Sequence, residues 1–473
     1  MSDSQNKNNS GWKTLIILSC LGLIVMFDET MILPAIPDFI RDFGISYSTS
    51  SWLLSAYIIA AAVMTPIAGR LSDIYGKKKM LLIIMAIYTV GVMAGRFATN
   101  IEFMLFARTL QGVGMAMFPI AFGIIRESLP EKKFATAQTI FSSTFPAGAI
   151  IGLVGGAVII QNFGWQATFL VILHVAITLW IVIWKFMHIS GPPLPGDDHM
   201  PVNKSIDIKG TLFLAVTIVT FLSGITFLES KDTGYYVVGL FVAAGISLVV
   251  FIITEKRTHQ PLLDLKLMSS KNFLPPTMIL MLVFLSIFTV YLTVPVMVRS
   301  PVPLGFGGDA LTVANVQLPF MVVFLVTTII SGFILNKVKN TRLTLIGTII
   351  STIGFFLLVM FHSTENMVAI GLTVLAVGLS LSIAGGFNVI LTSVPMQVTG
   401  IALGMTMLLD LIGMSVGPVF AGIFQDMYKG TIDGVAGEFP TETAYVLIFI
   451  AAALISLISV ILSIIVSRRK IIQ

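Results

Sequence analysis

Fourteen apolar stretches, each near the length of a bilayer-crossing helix, follow one another along this chain with only short polar breaks. They lie near 13–36, 51–71, 80–98, 103–125, 137–160, 166–187, 209–228, 235–254, 273–297, 312–335, 343–361, 367–390, 399–424 and 443–466. Roughly 20 apolar residues cross the hydrocarbon core as a helix. Inside lipid every backbone N–H and C=O must find its partner within the protein, so runs of this length specify helices. Only 11% of the 473 residues are charged, whereas a soluble domain carries about 25%. Such a chain has too little polar surface to face water on all sides. The expected fold class is an all-α integral membrane protein with 14 transmembrane helices.

Lys7 and Lys13 ahead of the first stretch imitate a signal peptide. No small-residue cleavage site follows, and the run leads into Asp28, Glu29 and Pro34, so it reads as a retained helix. The single cysteine, Cys20, excludes an internal disulfide or a Cys-built zinc site. The net charge of +5 is spread over short loops and does not point to nucleic acid.

Charge placement tests the helix count. With both termini cytoplasmic, inner segments hold 22 of the 28 Lys and Arg residues and outer segments five, with Arg108 left inside a helix. Cytoplasmic loops are the ones enriched in Lys and Arg. A miscount by one helix would reverse every following loop and destroy the pattern.

The chain also matches itself. Gly69 at the end of the second stretch pairs with Gly332 in the tenth, Gly112 with Gly378, and Gly148/Gly152 with Gly413/Gly417, at offsets of 263, 266 and 265 residues. Glycines are common in membrane helices, but the basic loop after the second stretch is echoed too, by Lys337, Lys339 and Arg342. The expectation is two parallel-repeat six-helix bundles, 1–190 and 273–473. Residues 191–272 then supply linkers and an inserted helix pair, beginning with the helix-breaking Gly191-Pro192-Pro193-Leu194-Pro195-Gly196.

Specific motifs carry a family resemblance. Gly69-Arg70-Leu71-Ser72-Asp73-Ile74-Tyr75-Gly76-Lys77-Lys78-Lys79 closely resembles the loop signature between helices 2 and 3 of the major facilitator superfamily. Phe27-Asp28-Glu29-Thr30 through Pro37 resembles the first-helix motif of its fourteen-helix drug:proton antiporter branch, with Trp52 and Tyr57 where that branch has an aromatic pair. Leu105 to Gly114 is similar to the family's helix 4 motif, and Gly164-Trp165 with Phe169 to the start of its helix 6. Two departures stand out: Ile151 to Gly156 lacks the proline of the family's antiporter motif, and Leu33 replaces a usual Asn.

The resemblance implies a multi-pass transporter of the cell membrane, working by alternating access, with small-molecule substrate and protons as partners, no cofactor, and activity as a monomer. Proton-coupled efflux of lipophilic or cationic drug-like compounds is the expected function. A metabolite permease of the same fold is the alternative, and a membrane sensor on that fold a second. A membrane enzyme is disfavoured, since there is no His-Glu-x-x-His and no phosphate-binding loop.

Acids inside membrane helices are costly unless they face a polar cavity, which marks Asp28 and Glu29 for proton coupling or substrate binding. The alternative places the pair in the outer headgroup region. Arg108, Gln111, Tyr57 and Asp410 join them as candidates, and Phe145, Gln317, Asn388 and Met407 as cavity-lining residues. Gly69, Arg70, Asp73, Gly76, Lys77 and Lys78, with Arg126 and Glu127, form the expected inner gating cluster; Lys79 reads as a topology signal only. Gly148, Gly152, Gly155, Gly156, Gly413 and Gly417 are expected to permit close helix contact, and Pro418 to bend its helix. His174 reads as a histidine bonded to a neighbouring carbonyl, and no metal site is expected.

Overall fold

In the computed structural model, the described residues are 2–129, 131–187, 208–227, 234–258, 265–334, 338–394 and 399–468. Among them, 13 helices are long and apolar enough to cross a membrane. A further helix, Ile208–Phe227, holds the shorter apolar run Lys209–Ile225. Together these occupy the fourteen stretches expected from the sequence.

The first span is bent. Helix α1 (Ser2–Met31) gives way to a 3-10 turn at Leu33–Ala35 and then to α2 (Ile36–Phe43). Pro34 and Pro37 lack the N–H that a continuous helix would need, whereas Pro37 suits the first turn of α2, where that N–H has no partner anyway. Gly44 closes α2 in the left-handed region, at φ 61°, and its N–H reaches Ile40 O. Helix α3 follows (Tyr47–Tyr75), separated from α4 (Lys77–Arg96) by Gly76 alone. At φ 95° this position favours glycine, so the loop signature has a backbone reason for its last glycine.

The chain forms two compact units. The first comprises Met1–Ile32 and Ala60–Ile206. It contains α1, the later part of α3, α4, α5 (Ile101–Gly112), α6 (Met117–Ser128), α7 (Glu131–Phe163) and α8 (Trp165–Phe186). Its tightest packing sets α7 against α1. A Cβ on Gly148 would lie 2.7 Å from Leu23 O and from Met26 Cβ, and one on Gly156 would lie 2.8 Å from Met31 Cα. Gly152 abuts Thr30 and the backbone of Phe27, whereas Gly155 meets only the Phe27 ring, at 3.4 Å. Thr30 Oγ1 also donates to Ala149 O at 3.0 Å.

The second unit comprises Leu33–Ile59 and Asp207–Gln473. It takes α2, the first part of α3, and then α9 (Ile208–Phe227), α10 (Gly234–Arg257), α11 (Leu265–Met268), α12 (Leu274–Arg299), α13 (Ala310–Ile334) and α14 (Asn340–Met360). Helices α15 (Glu365–Ser393), α16 (Thr399–Met427) and α17 (Glu442–Arg468) complete it. Here α16 meets α12 through Gly413, against Met281 O, and Gly417, whose Cβ would lie 2.7 Å from Leu285 O and Thr289 N. Buried hydroxyls join α14 to α17, with Thr352 and Ser456 at 2.8 Å. Pro418 sits inside α16, which is a single helix from end to end.

One element was not expected. Strands β1 (Lys429–Ile432) and β2 (Val435–Pro440) form an antiparallel hairpin between α16 and α17. The two-residue link Asp433-Gly434, with Gly434 at φ 79°, is a sequence signal for such a turn.

Candidate functional site

Packing of α1 on α7 decides where the acids point. Leu23, Phe27 and Met31 face the glycines of α7. Successive helical residues turn about 100°, so Asp28 and Glu29 leave that face for the interior. Asp28 is fully buried and Glu29 is 6% exposed.

Arg108 of α5 has no exposed surface and is among the largest fully buried side chains of the described residues. Its Nη1 lies 3.6 Å from Asp28 Oδ2 and donates to Gln111 Oε1 at 2.7 Å. Gln111, one turn along α5, donates from Nε2 to Gly91 O of α4 at 2.9 Å. That bond depends on close helix approach, since a Cβ on Gly91 would lie 2.7 Å from Leu110 Cβ and 2.8 Å from Gln111 N. The amide is thus fixed at both ends, and it fixes the guanidinium.

The contact with Asp28 is of another kind. Its 3.6 Å separation is ion-pair range but beyond a hydrogen bond, and neither Asp28 oxygen accepts a hydrogen bond from the described residues. Both groups are fully buried, where either charge alone would be costly. A proton on Asp28 removes the attraction without breaking a hydrogen bond. An acid so placed can exchange a proton, or a cation, at little geometric cost.

The other candidates are distributed more widely. Tyr57 is fully buried, and Asp410 is 4% exposed on α16. Both belong to the second unit. Asp410 Oδ1 and Gln317 Oε1 accept no hydrogen bond from the described residues. Asn388 donates to Ala384 O of its own helix, Phe145 stacks on Phe118 at 4.2 Å, and Met407 is half-buried. His174 is exposed, with Nδ1 2.7 Å from Leu170 O.

At the turn between α3 and α4, Lys77 Nζ donates to Glu127, and Lys78 Nζ to Trp184 O at 2.8 Å. Lys79 is exposed, 6.0 Å from the Tyr75 ring centroid. A Cβ on Gly69 would meet nothing within 4 Å. The side chains of Arg70, Asp73 and Arg126 lie outside the described residues. Among the described residues, no group of three His, Cys, Asp or Glu could hold a metal ion.

Sequence reasoning missed one polar cluster. Asp38, Arg299, Asp426 and Lys429 converge at one end of the second unit. Arg299 and Lys429 counted only as outer-loop charges, because no local pattern links position 38 to 299 or 47 to 426.

Comparison with known proteins identifies the family. The chain is 26% identical over 437 residues to the multidrug efflux pump LfrA of Mycolicibacterium smegmatis, covering 91% of this chain and 84% of that one. It is 24% identical over 378 residues to multidrug resistance protein 3 of Bacillus subtilis, covering 79% and 70%. The tetracenomycin C resistance and export protein of Streptomyces glaucescens is 23% identical over 433 residues, covering 89% and 77%. Among solved structures, the POT family transporter PepTSo has the same fold, with a TM-score of 0.67 at 15% identity, covering 96% of this chain and 98% of that one. A bacterial homologue of the human lysosomal transporter Spinster gives 0.64 at 16% identity, covering 96% of each. The Major Facilitator Superfamily profile matches residues 18–418, so the chain belongs to that family: it is a transporter of the cell membrane and not an enzyme.

Proposed function

We propose that this transporter exports lipophilic or cationic drug-like compounds in exchange for protons, by alternating access, as a member of the fourteen-helix drug:proton antiporter branch. The observation that carries the reading is the buried Asp28–Arg108 pair, 3.6 Å apart with no hydrogen bond to the carboxylate. Ionised Asp28 pairs with Arg108 or with a cationic substrate, and protonated Asp28 holds neither. Proton and substrate therefore compete for one carboxylate. Multidrug efflux and resistance relatives at about a quarter identity support the substrate class. Glu29 and Asp410 are secondary proton carriers, with Tyr57 on the substrate path.

The molecule works as a monomer, with parallel-repeat bundles at 1–190 and 273–473, an inserted region at 191–272, and both termini cytoplasmic. Supporting the repeat, Gly148 and Gly152 admit the backbone of α1, as Gly413 and Gly417 admit that of α12. Gly69, Arg70, Asp73, Gly76, Lys77 and Lys78 with Arg126 and Glu127 form the inner gate; the Lys77–Glu127 bond supports this.

The test is uptake of a lipophilic cation into proteoliposomes under an inside-acid gradient, comparing parent with Asp28→Asn. Gradient-driven uptake by the parent that vanishes in the variant is expected. Uptake unchanged by the substitution removes Asp28 from coupling. The second reading, a metabolite permease, is favoured by the absence of proline from Ile151 to Gly156; a parent that moves no cation would select it.

A further inference from the structure

Polar ties that are not part of the proton and substrate site fasten residues 33–59 to the rest of the second unit. Arg299, in the last turn of α12, binds both carboxylate oxygens of Asp38 on α2. Its Nη1 also donates to Pro34 O at 2.9 Å. Asp426, near the end of α16, accepts from the first two N–H groups of α3: Tyr47 N at 3.1 Å and Ser48 N at 2.6 Å. Those N–H groups have no partner inside their own helix, and a carboxylate is the favoured occupant of a helix N-terminus. Lower down, Ser55 Oγ donates to Ser415 O at 2.7 Å.

The approach of α3 to α16 is backbone-close. A Cβ on Gly422 would fall 2.7 Å from Ser48 Cα and 2.9 Å from Tyr47 O. The hairpin completes the enclosure, as Tyr47 Oη donates to Glu438 O at 3.2 Å and Lys429 Nζ lies 3.3 Å from Glu438 and 3.6 Å from Asp426. Burial draws the Lys429 pKa down, but the Asp426 and Glu438 carboxylates outweigh it and leave it above the ordinary lysine value. These groups ring a cleft of about 480 Å³. Side-chain exposure is 10% for Asp38, 17% for Arg299 and 1% for Asp426, so the charges are largely desolvated. Ties of this kind are more consequential than surface ion pairs when one partner is removed.

By the charge bias of the loops, this is the outer end of the molecule. We propose that the Asp38–Arg299 pair and the Asp426 cap on α3 form a latch that holds the outer face shut, and that opening outward requires both to break. The inference rests on the alternating-access reading. It assigns the latch to the state opposite to the one that an inner cluster around Gly69–Lys79 would hold. The hairpin is part of the device, since it carries Lys429 and Glu438 to the cap.

The test reads conformation without transport. In a Cys20→Ser background, a cysteine replaces Ser55, which is fully buried beneath the latch. Right-side-out proteoliposomes are treated with a membrane-impermeant maleimide, with Asp426→Ala, Arg299→Gln and Arg299→Lys compared with the parent. A minor state of a few per cent leaves ample room for a shift. Labelling is expected to rise roughly tenfold in Asp426→Ala and Arg299→Gln and less in Arg299→Lys, which keeps the charge. Unchanged labelling in both neutral variants overturns the latch, whatever cation uptake does. Increased labelling in a protein that moves no cation keeps the latch and removes the drug assignment. Monodisperse elution in detergent excludes misfolding as the source of labelling. Should the single variants aggregate, the charge swap Asp38→Arg with Arg299→Asp must recover protection for the proposal to stand.

Discussion

Asp28 and Asp410 are buried acids within membrane helices of different units, and their surroundings differ. Asp28 has a guanidinium at 3.6 Å, and that guanidinium is fixed by Gln111, itself tied to the α4 backbone. Asp410 is almost as deeply buried, but its Oδ1 accepts no hydrogen bond and it has no ion pair among the described residues. An ionised carboxylate is tolerated in a dry interior only beside a compensating charge. Asp28 therefore has a compensating charge where it stands, whereas Asp410 has none among the described residues. In the proposed exchange, Asp28 is the acid that cycles.

The sharpest way to break this comparison is to neutralise each acid in turn. Asp28→Asn should reduce gradient-driven cation uptake by about 100-fold or more, the scale of losing a positioned proton carrier. Asp410→Asn should change it only a few-fold, because no cation among the described residues is left unpaired by it. Equal losses would place the two acids in one coupled pathway. Next in size is Arg108→Gln, which leaves Asp28 buried without its cation. It should destabilise the detergent-solubilised protein by about 3–5 kcal/mol. The double variant with Asp28→Asn should recover most of that loss, and a cycle that instead adds would show the two groups to be uncoupled.

The sequence made much of this legible, and it is clear why. Helix number and positions follow from apolar length, and an acid or arginine within such a run is conspicuous. Asp28, Glu29, Arg108, Gln111 and Asp410 were all visible on that ground. That Gln111 would reach Gly91, or that Gly155 would differ from Gly152, was not visible, because helix rotation is set by tertiary packing and not by local pattern. The Asp38–Arg299 and Asp426–Ser48 contacts join residues 261 and 378 positions apart. No periodicity encodes such pairings. The bend at Pro34 and Pro37 was available from the prolines and lengthened the first span to Gly11–Phe43.

A control on the comparison lies in the glycines, because the acids could differ simply if one unit were packed more loosely. Gly152→Ala and Gly413→Ala both drive a methyl into a neighbouring helix backbone that has no side-chain freedom with which to yield. Each should cost about 1–3 kcal/mol in thermal unfolding. Gly155→Ala, which meets only the edge of the Phe27 ring at 3.4 Å, should be near neutral. Similar costs at 152 and 413 would show that the two units are equally tight, leaving charge, not packing, to separate Asp28 from Asp410. A small cost at 413 alone would trace the contrast to looser packing in the second unit.

The smallest expected effect concerns an acid outside the membrane, and it shows what satisfied carboxylate chemistry looks like in the same unit as Asp410. Asp309 precedes α13 and accepts from Thr312 N and Thr312 Oγ1, both at 2.8 Å. The bond from the Thr312 backbone, then that from its hydroxyl, holds the Asp309 pKa below the ordinary 3.8. A carboxylate with a depressed pKa stabilises the folded state above its unfolded pKa, and that contribution is lost as pH falls through the folded value. Asp309→Ala should therefore cost about 1 kcal/mol near neutral pH, as loss of a helix N-cap does. The gap between parent and variant should close as the medium is acidified below about pH 4. Thermal unfolding in detergent across that range measures it. A gap that stays constant with pH would mean that Asp309 acts through its shape and not its charge, and would remove it as the ionised reference against which Asp410 is read.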